Sequence, residues 1–155
     1  MIKVLFVCHG NTCRSPMAEF LFRDMVKKAG LLERFSISSA AAGADDAGYP
    51  ISSSSREILE KNNFPYGPHR SRRVCPGDYA EYDYILIMDE SNRGHIMRVF
   101  GGDPEGKVRT LLSFTDNPRD ISDPWHTRDY QKAFDDIAEG CTAFLDWLQR
   151  RLKAK

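Results

Sequence analysis

A nearly continuous apolar run at the N-terminus limits the fold classes open to this chain. Residues 2–7 are short in extent and rich in β-branched and aromatic side chains, which is typical of a strand buried on both faces of a parallel sheet. The run leads directly into a polar loop, after which Ser15-Pro16 predicts an N-cap followed by proline at the first helical position. We therefore expect a strand, loop and helix unit.

Further strands and helices are predicted to alternate along the chain. Strands are expected at residues 35–40, 84–88 and 107–112, and helices at 55–62, where Ser54 and Glu57 form a capping box, from Asp89 to about residue 99, and along an amphipathic C-terminal segment. This order indicates one α/β domain, residues 1–155, with a parallel sheet. In such sheets ligands bind beyond the carboxyl ends of the strands.

Composition excludes several functional classes. The 155 residues carry 22 Lys and Arg against 22 Asp and Glu, so no global field favours nucleic acid or an anionic membrane. The four cysteines form no C-x2-C pair, which argues against a zinc ribbon or a disulfide framework. No apolar stretch approaches the ~20 residues of a membrane span. A soluble, cytoplasmic protein is expected.

The loop from Cys8 to Ser15 carries the clearest chemical signal. Gly10 and Asn11 tolerate the left-handed backbone of a loop whose N–H groups point inward, around an oxyanion. Arg14 offers a planar fork for two phosphate oxygens, and the following helix N-terminus adds partial positive charge. The same surroundings favour the thiolate of Cys8 as a nucleophile. The alternative for Cys8 is a small buried core residue.

A thiolate that attacks phosphorus needs a proton donor for the leaving oxygen and later a base for water. Asp123, followed by Pro124 and Trp125, is the candidate for both roles. The alternative is that Asp123-Pro124 merely forms a turn, as Asp103-Pro104 is expected to do.

The segment VLFVCHGNTCRSPMAE, residues 4–19, together with Asp123-Pro124-Trp125, resembles the low-molecular-weight protein tyrosine phosphatase family. Element order and length agree over essentially the whole chain. The resemblance implies a four-stranded parallel sheet flanked by helices, with the phosphate-binding loop between the first strand and the first helix. It also implies hydrolysis of phosphotyrosine and aryl phosphomonoesters through a phosphocysteine, without a metal or other cofactor.

The resemblance assigns Cys8 as nucleophile, Arg14 as phosphate clamp and Asp123 as general acid and then base. It implies that Asn11 holds the loop backbone, that Ser15 hydrogen-bonds the Cys8 sulfur, and that Ser39 and His69 orient Asn11. Cys13 matches a cysteine that can bond reversibly to the nucleophile under oxidation. The phosphate-binding and supporting set is His9, Gly10, Asn11, Thr12, Cys13, Ser15, Ser39 and His69.

The features that bear on the substrate point in two directions. Thr12 resembles the residue found in the family's protein-arginine phosphatases, whereas Trp125 resembles the aromatic residue that stacks on a phenyl ring in tyrosine phosphatases. The loop near Asp45 and Asp46, where relatives often carry an aromatic wall residue, is acidic here, so stacking is expected on one side. His9 either contacts the leaving group or faces solvent.

Other hypotheses are a non-catalytic phosphate-binding module and an arsenate reductase. An arsenate reductase needs two further cysteines close together, whereas Cys75 and Cys141 are far apart in sequence. Arg70, Arg72 and Arg73 either steer acidic phosphopeptides or are simply solvated. The expected partners are a phosphorylated protein or peptide as substrate and inorganic phosphate as product, with no nucleic acid and no membrane. The chain is expected to be a monomer or a weak dimer.

Overall fold

A four-stranded parallel sheet forms the centre of the molecule. The computed structural model describes residues 1–43 and 47–154. The strands are β1 (Ile2–Cys8), β2 (Phe35–Ala41), β3 (Tyr84–Ile87) and β4 (Val108–Thr110), and they lie in the order β2-β1-β3-β4. The predicted positions of the strands are confirmed, although β4 is shorter than expected because the chain turns at Leu111–Phe114 into a 3-10 helix.

Helices flank this sheet. They are α1 (Arg14–Lys28), α2 (Ser53–Lys61), α3 (Asp78–Glu81), α4 (Glu90–Phe100), α5 (Pro124–Thr127) and α6 (Tyr130–Lys153), with a 3-10 turn at Leu32–Arg34. The short helices α3 and α5 lie in segments that the sequence did not predict as helical. None of the helices in the described ranges is long and apolar enough to cross a bilayer.

The side chains of β1 alternate between two apolar clusters, as expected for a central parallel strand. Val4 and Phe6 pack in the larger cluster with α1 and α6, whereas Leu5 and Val7 pack in a second cluster that includes Ile96 of α4. The predicted apolar face of α6 is confirmed, and its buried members include Phe134, Ile137, Cys141, Phe144 and Leu148. The sheet is thus covered on both faces.

The start of α1 differs from the prediction. The N-cap position is Cys13 rather than Ser15, and Arg14 is already helical. The Ser15 hydroxyl is instead within hydrogen-bond distance of the Cys8 sulfur and accepts a hydrogen bond from Asn11. The loop therefore ends two residues earlier than capping preference predicts, because the Ser15 hydroxyl makes its hydrogen bonds inside the loop instead of capping the helix.

The start of α2 also differs, and the predicted capping box of Ser54 and Glu57 is wrong. Ser52 is the N-cap, and its hydroxyl accepts a hydrogen bond from the N–H of Ser55 at 3.2 Å. The N–H of Ser52 donates to the carbonyl of Thr12 at 2.9 Å. This contact with the first loop selects one serine from a run of four.

Candidate active site

A cavity of about 420 Å³ lies at the carboxyl end of β1. Its walls come from the loop between β1 and α1 and from the segment that begins α5. The lining residues are Cys8, His9, Gly10, Thr12, Cys13, Arg14, Asp123, Trp125 and His126. The structure thereby brings together the predicted nucleophile, clamp and acid, which are more than 100 residues apart in sequence at their extremes.

The sulfur of Cys8 is buried and surrounded by donors. The backbone N–H groups of Asn11 and Ser15 donate to it at 3.3 and 3.4 Å. The Ser15 hydroxyl lies 3.0 Å away, and because that hydroxyl oxygen accepts from the Asn11 amide, its own proton is free to point at the sulfur. These donors stabilise negative charge on the sulfur.

Asn11 holds the loop in shape through every polar atom of its side chain. Its backbone has φ 57, in the left-handed region that asparagine tolerates. Its Nδ2 donates to the hydroxyls of Ser15 and Ser39 at 2.8 and 2.9 Å, and its Oδ1 accepts from the N–H of Arg72 at 3.1 Å. His69 Nε2 donates to its carbonyl at 2.7 Å. The loop is therefore tied to β2 and to the segment after α2.

The loop leaves several donors directed at the cavity. Within the part of the chain that the structure describes, the backbone N–H groups of Gly10, Thr12 and Cys13 donate to no protein acceptor. All three residues line the cavity, beside the first turn of α1 with its unpaired N–H groups. An oxyanion is the ligand class that such an arrangement binds.

Arg14 is only 2 % exposed and is held by partners on two other segments. Its Nη1 donates to Asp89 Oδ2 and to the carbonyl of Ile121, both at 2.7 Å. Burial disfavours its charge, but the charges of Cys8, Asp89 and Asp123 outweigh that effect, so that the pKa of the guanidinium is raised. The Arg14 fork is thus fixed beside the sulfur in its charged form.

Asp123 lies in the cavity wall formed by the segment that begins α5. Its Oδ1 accepts a hydrogen bond from the N–H of Trp125 at 3.0 Å and so caps α5. Its Oδ2 lies 3.7 Å from Arg14 Nη2 and 3.9 Å from His126 Nε2. Since Oδ2 is left free of short hydrogen bonds within the described chain, it is the oxygen available to exchange a proton with a bound group.

The remaining predicted residues divide between the cavity and its support. Trp125 is 63 % exposed at the rim, and Thr12 and Cys13 lie in the lining, where Cys13 Sγ donates to Ser52 Oγ at 3.3 Å. Ser39 and His69 lie behind the loop and contact Asn11. Asp45, the predicted wall residue, lies outside the described residues.

Asp89 is the main site residue beyond those predicted, because its sequence context indicates only a helix cap. It does cap α4, in a reciprocal box with Asn92, and its second oxygen binds Arg14. Burial opposes ionisation of Asp89, but hydrogen bonds from Ser91 and Arg14 prevail and lower its pKa. Its position directly after β3, at the same sheet edge as the loop, was the available signal.

His126 also lines the cavity, although no sequence pattern indicates this position. Among the residues that the structure describes, no group of three His, Cys, Asp or Glu side chains is arranged to hold a metal ion.

The two remaining cysteines lie in different surroundings. Cys75 is exposed in the segment before α3, whereas Cys141 is fully buried on α6. Burial raises the pKa of the Cys141 thiol far above its ordinary value, so this group stays protonated. Its Sγ donates to the carbonyl of Ala18 in α1, in a core environment. Neither Cys75 nor Cys141 is among the residues that line the cavity beside Cys8.

Comparison with known proteins agrees with this geometry. The family model described as low molecular weight phosphotyrosine protein phosphatase matches residues 3–154. The chain belongs to this family. The low molecular weight protein-tyrosine-phosphatase YfkJ of Bacillus subtilis is 34% identical over 152 residues, 97% of each chain. Its crystal structure matches with a TM-score of 0.93 and covers 97% of this chain and 96% of YfkJ.

Two further relatives have names that refer to different phosphorylated residues. The low molecular weight phosphotyrosine protein phosphatase of Schizosaccharomyces pombe is 43% identical over 114 residues, which are 73% of this chain and 70% of the yeast protein. The crystal structure named as a Drosophila arginine phosphatase matches with a TM-score of 0.84 at 30% identity, over 95% of this chain and 98% of the other.

Proposed function

We propose that this phosphatase hydrolyses phosphotyrosine and aryl phosphomonoesters through a phosphocysteine on Cys8. The observation that supports this most directly is the meeting of Cys8, Arg14 and Asp123 in one cavity lined by free loop N–H groups. Trp125, exposed at the rim, supplies an aromatic face against which a phenyl ring can pack.

The reaction has two balanced steps. The Cys8 thiolate attacks phosphorus, the bond to the leaving oxygen breaks, and Asp123 gives that oxygen its proton. Water then attacks the phosphocysteine, Asp123 takes a proton from it, and the S–P bond breaks to release inorganic phosphate and the thiolate. Arg14 and the loop N–H groups bind the equatorial oxygens in both steps.

Two variants test these roles with aryl phosphates in the presence of EDTA. Cys8→Ser should abolish turnover, and any substantial residual rate would contradict a covalent mechanism. Asp123→Asn should reduce kcat by about 10²- to 10⁴-fold for a poor leaving group and much less for a good one, since a good leaving group needs no proton. Equal losses for both leaving groups would reject the acid role.

We also propose that the substrate is a phosphorylated segment of a protein, in the cytoplasm, and that the chain acts as a monomer or weak dimer. The mechanism needs Cys8 in its reduced form, and a reducing cytoplasm keeps cysteines reduced.

Phosphoarginine is the second candidate substrate. Thr12 lines the cavity, and its hydroxyl offers an acceptor to a guanidinium N–H. The similarity to the Drosophila arginine phosphatase supports this candidate, whereas the names of YfkJ and the yeast relative favour phosphotyrosine. Trp125 favours the aromatic substrate, which we retain as the leading one.

A further inference from the structure

A second cleft, of about 400 Å³, adjoins the active-site cavity on the far side of His9. It lies between the carboxyl ends of β1 and β2 and the outer face of α4. Its lining residues are His9, Ala42, Gly43, Arg73, His95, Arg98 and Val99. Four of these seven residues are basic, and none is acidic.

His9 forms the partition between the two cavities, because it lines both. Its ring lies against Gly43, where an added Cβ would come within 2.8 Å of the imidazole Cε1. It also meets the ring of His95 edge to face, with centroids 5.8 Å apart. His95 is itself held by its Nδ1–H, which donates to the carbonyl of Ser91 at 2.8 Å. A group in the cleft is therefore separated from the phosphate site by one ring.

The two arginines of the cleft are exposed, and neither forms an ion pair with another described residue. Among residues 1–43 and 47–154, no carboxylate lies within salt-bridge distance of Arg73 or Arg98. Arg72, by contrast, is paired with Asp78 at 3.0 Å. Arg72 therefore has a structural role, whereas Arg73 has no carboxylate partner within the described part of the chain. Although the chain has no net charge, the described lining of this cleft therefore carries local positive charge.

We propose that this cleft binds a carboxylate side chain of the peptide substrate, close in sequence to the phosphorylated residue. Arg73 and Arg98 come from different segments and both line the cleft, and a guanidinium binds a carboxylate through paired hydrogen bonds. Because His9 lines both the active-site cavity and the cleft, one extended peptide can place its phosphoryl group beside Cys8 and a neighbouring side chain in the cleft. The inference rests on the proposed function and adds a substrate preference to it.

The test compares phosphotyrosine peptides in which a single Glu is moved through the three positions on either side of the phosphorylated residue, each with a Gln counterpart. At low ionic strength, we expect kcat/KM to be higher by about fivefold for Glu over Gln at one or more positions. The preference should fall as salt is added, since both arginines are exposed.

Two variants remove the arginines of the cleft: Arg98→Gln, and a double variant that carries both Arg98→Gln and Arg73→Gln. Both should lose the Glu preference and hydrolyse a small aryl phosphate at an unchanged rate. Arg34→Gln is the matched control, because Arg34 is exposed just before β2, at the opposite end of the sheet. It should keep the full preference.

Three outcomes overturn the proposal. Hydrolysis of all peptides without preference for Glu would reject the cleft and leave the phosphatase function standing. A preference that persists in the double variant would place the carboxylate elsewhere. If neither the peptides nor the aryl phosphate were hydrolysed, both the proposed function and this inference would be rejected.

Discussion

At the scale of single residues, Asn11 makes contacts that its residue type alone does not indicate. Asn11 was identified as a residue that tolerates left-handed backbone, and its φ of 57 agrees with this. Its side chain, however, reaches Ser39 and the N–H of Arg72, which are 28 and 61 residues away in sequence. The shape of the phosphate loop therefore depends on β2 and on the segment before α3.

Thr12 is the residue whose substitution should change the choice of substrate. We expect Thr12→Ile to raise the ratio of kcat/KM for phosphotyrosine over phosphoarginine peptides by about tenfold, because it removes a hydroxyl that can pair with a guanidinium and adds apolar surface. A side-by-side rate comparison on the two peptides measures this ratio.

Thr12→Ser provides the control for that comparison, since it keeps the hydroxyl and removes only a methyl group. It should leave the ratio near that of the unsubstituted protein. If Thr12→Ile slows both substrates equally, Thr12 does not select between them.

At the scale of elements, α6 approaches the 3-10 helix Leu111–Phe114 very closely. Gly140 is buried in α6, and a Cβ added there would lie 2.6 Å from Leu111 Cγ. Leu111 is itself fully buried, so it has little room to move. Glycine at this position in α6 therefore permits the helix to pack against the end of the sheet.

Gly140→Ala should lower the free energy of unfolding by about 1–3 kcal/mol, because the gain in helix propensity is smaller than the cost of overpacking. Gly94→Ala is the matched control within α4, since nothing lies within 4 Å of its added Cβ. That variant should raise stability by up to about 1 kcal/mol. Urea denaturation measures both, and stabilisation by Gly140→Ala would contradict the close packing.

At the scale of the whole molecule, a partly buried ion pair joins the start of α1 to the segment that follows β3. Arg14 is at the start of α1 and Asp89 follows β3, and their contact is 2.7 Å long. Because parallel strands end at the same edge of the sheet, both halves of the chain contribute to one site.

The ion pair predicts a dependence of stability on pH. The pKa of Asp89 is lowered below its ordinary value of 3.8 in the folded state, so its stabilising contribution is present above about pH 4 and is lost as the pH falls through the folded-state pKa. The free energy of unfolding should therefore fall less on acidification in Asp89→Asn than in the unsubstituted protein. Asparagine is the suitable replacement because it can still cap α4.

Denaturant titrations at a series of pH values from 7 to 3 test this expectation. Asp146→Asn is the control, because Asp146 is exposed on α6 and pairs with exposed Arg150. It should retain the full loss of stability in acid. Parallel curves for Asp89→Asn and the unsubstituted protein would contradict the assigned role of the pair.

Local patterns were sufficient to predict the elements that carry strong periodicity or a clear cap. The apolar run of β1, the cap of α4 at Asp89 and the buried face of α6 follow from short-range preferences, and the structure agrees with each. The spacing of Cys8 and Arg14 is likewise local, since one loop and one helix turn suffice to bring them to the same cavity.

The sequence by itself determined the α/β class, the order of the strands along the chain and the loop that forms the cavity floor. Only the tertiary structure decided which serine caps α2, that Asp89 holds Arg14, and that Asp123 lies opposite Cys8. The physical reason is distance along the chain. Helix and strand preferences act over a few residues, whereas these contacts join segments that meet only when the parallel sheet aligns their ends.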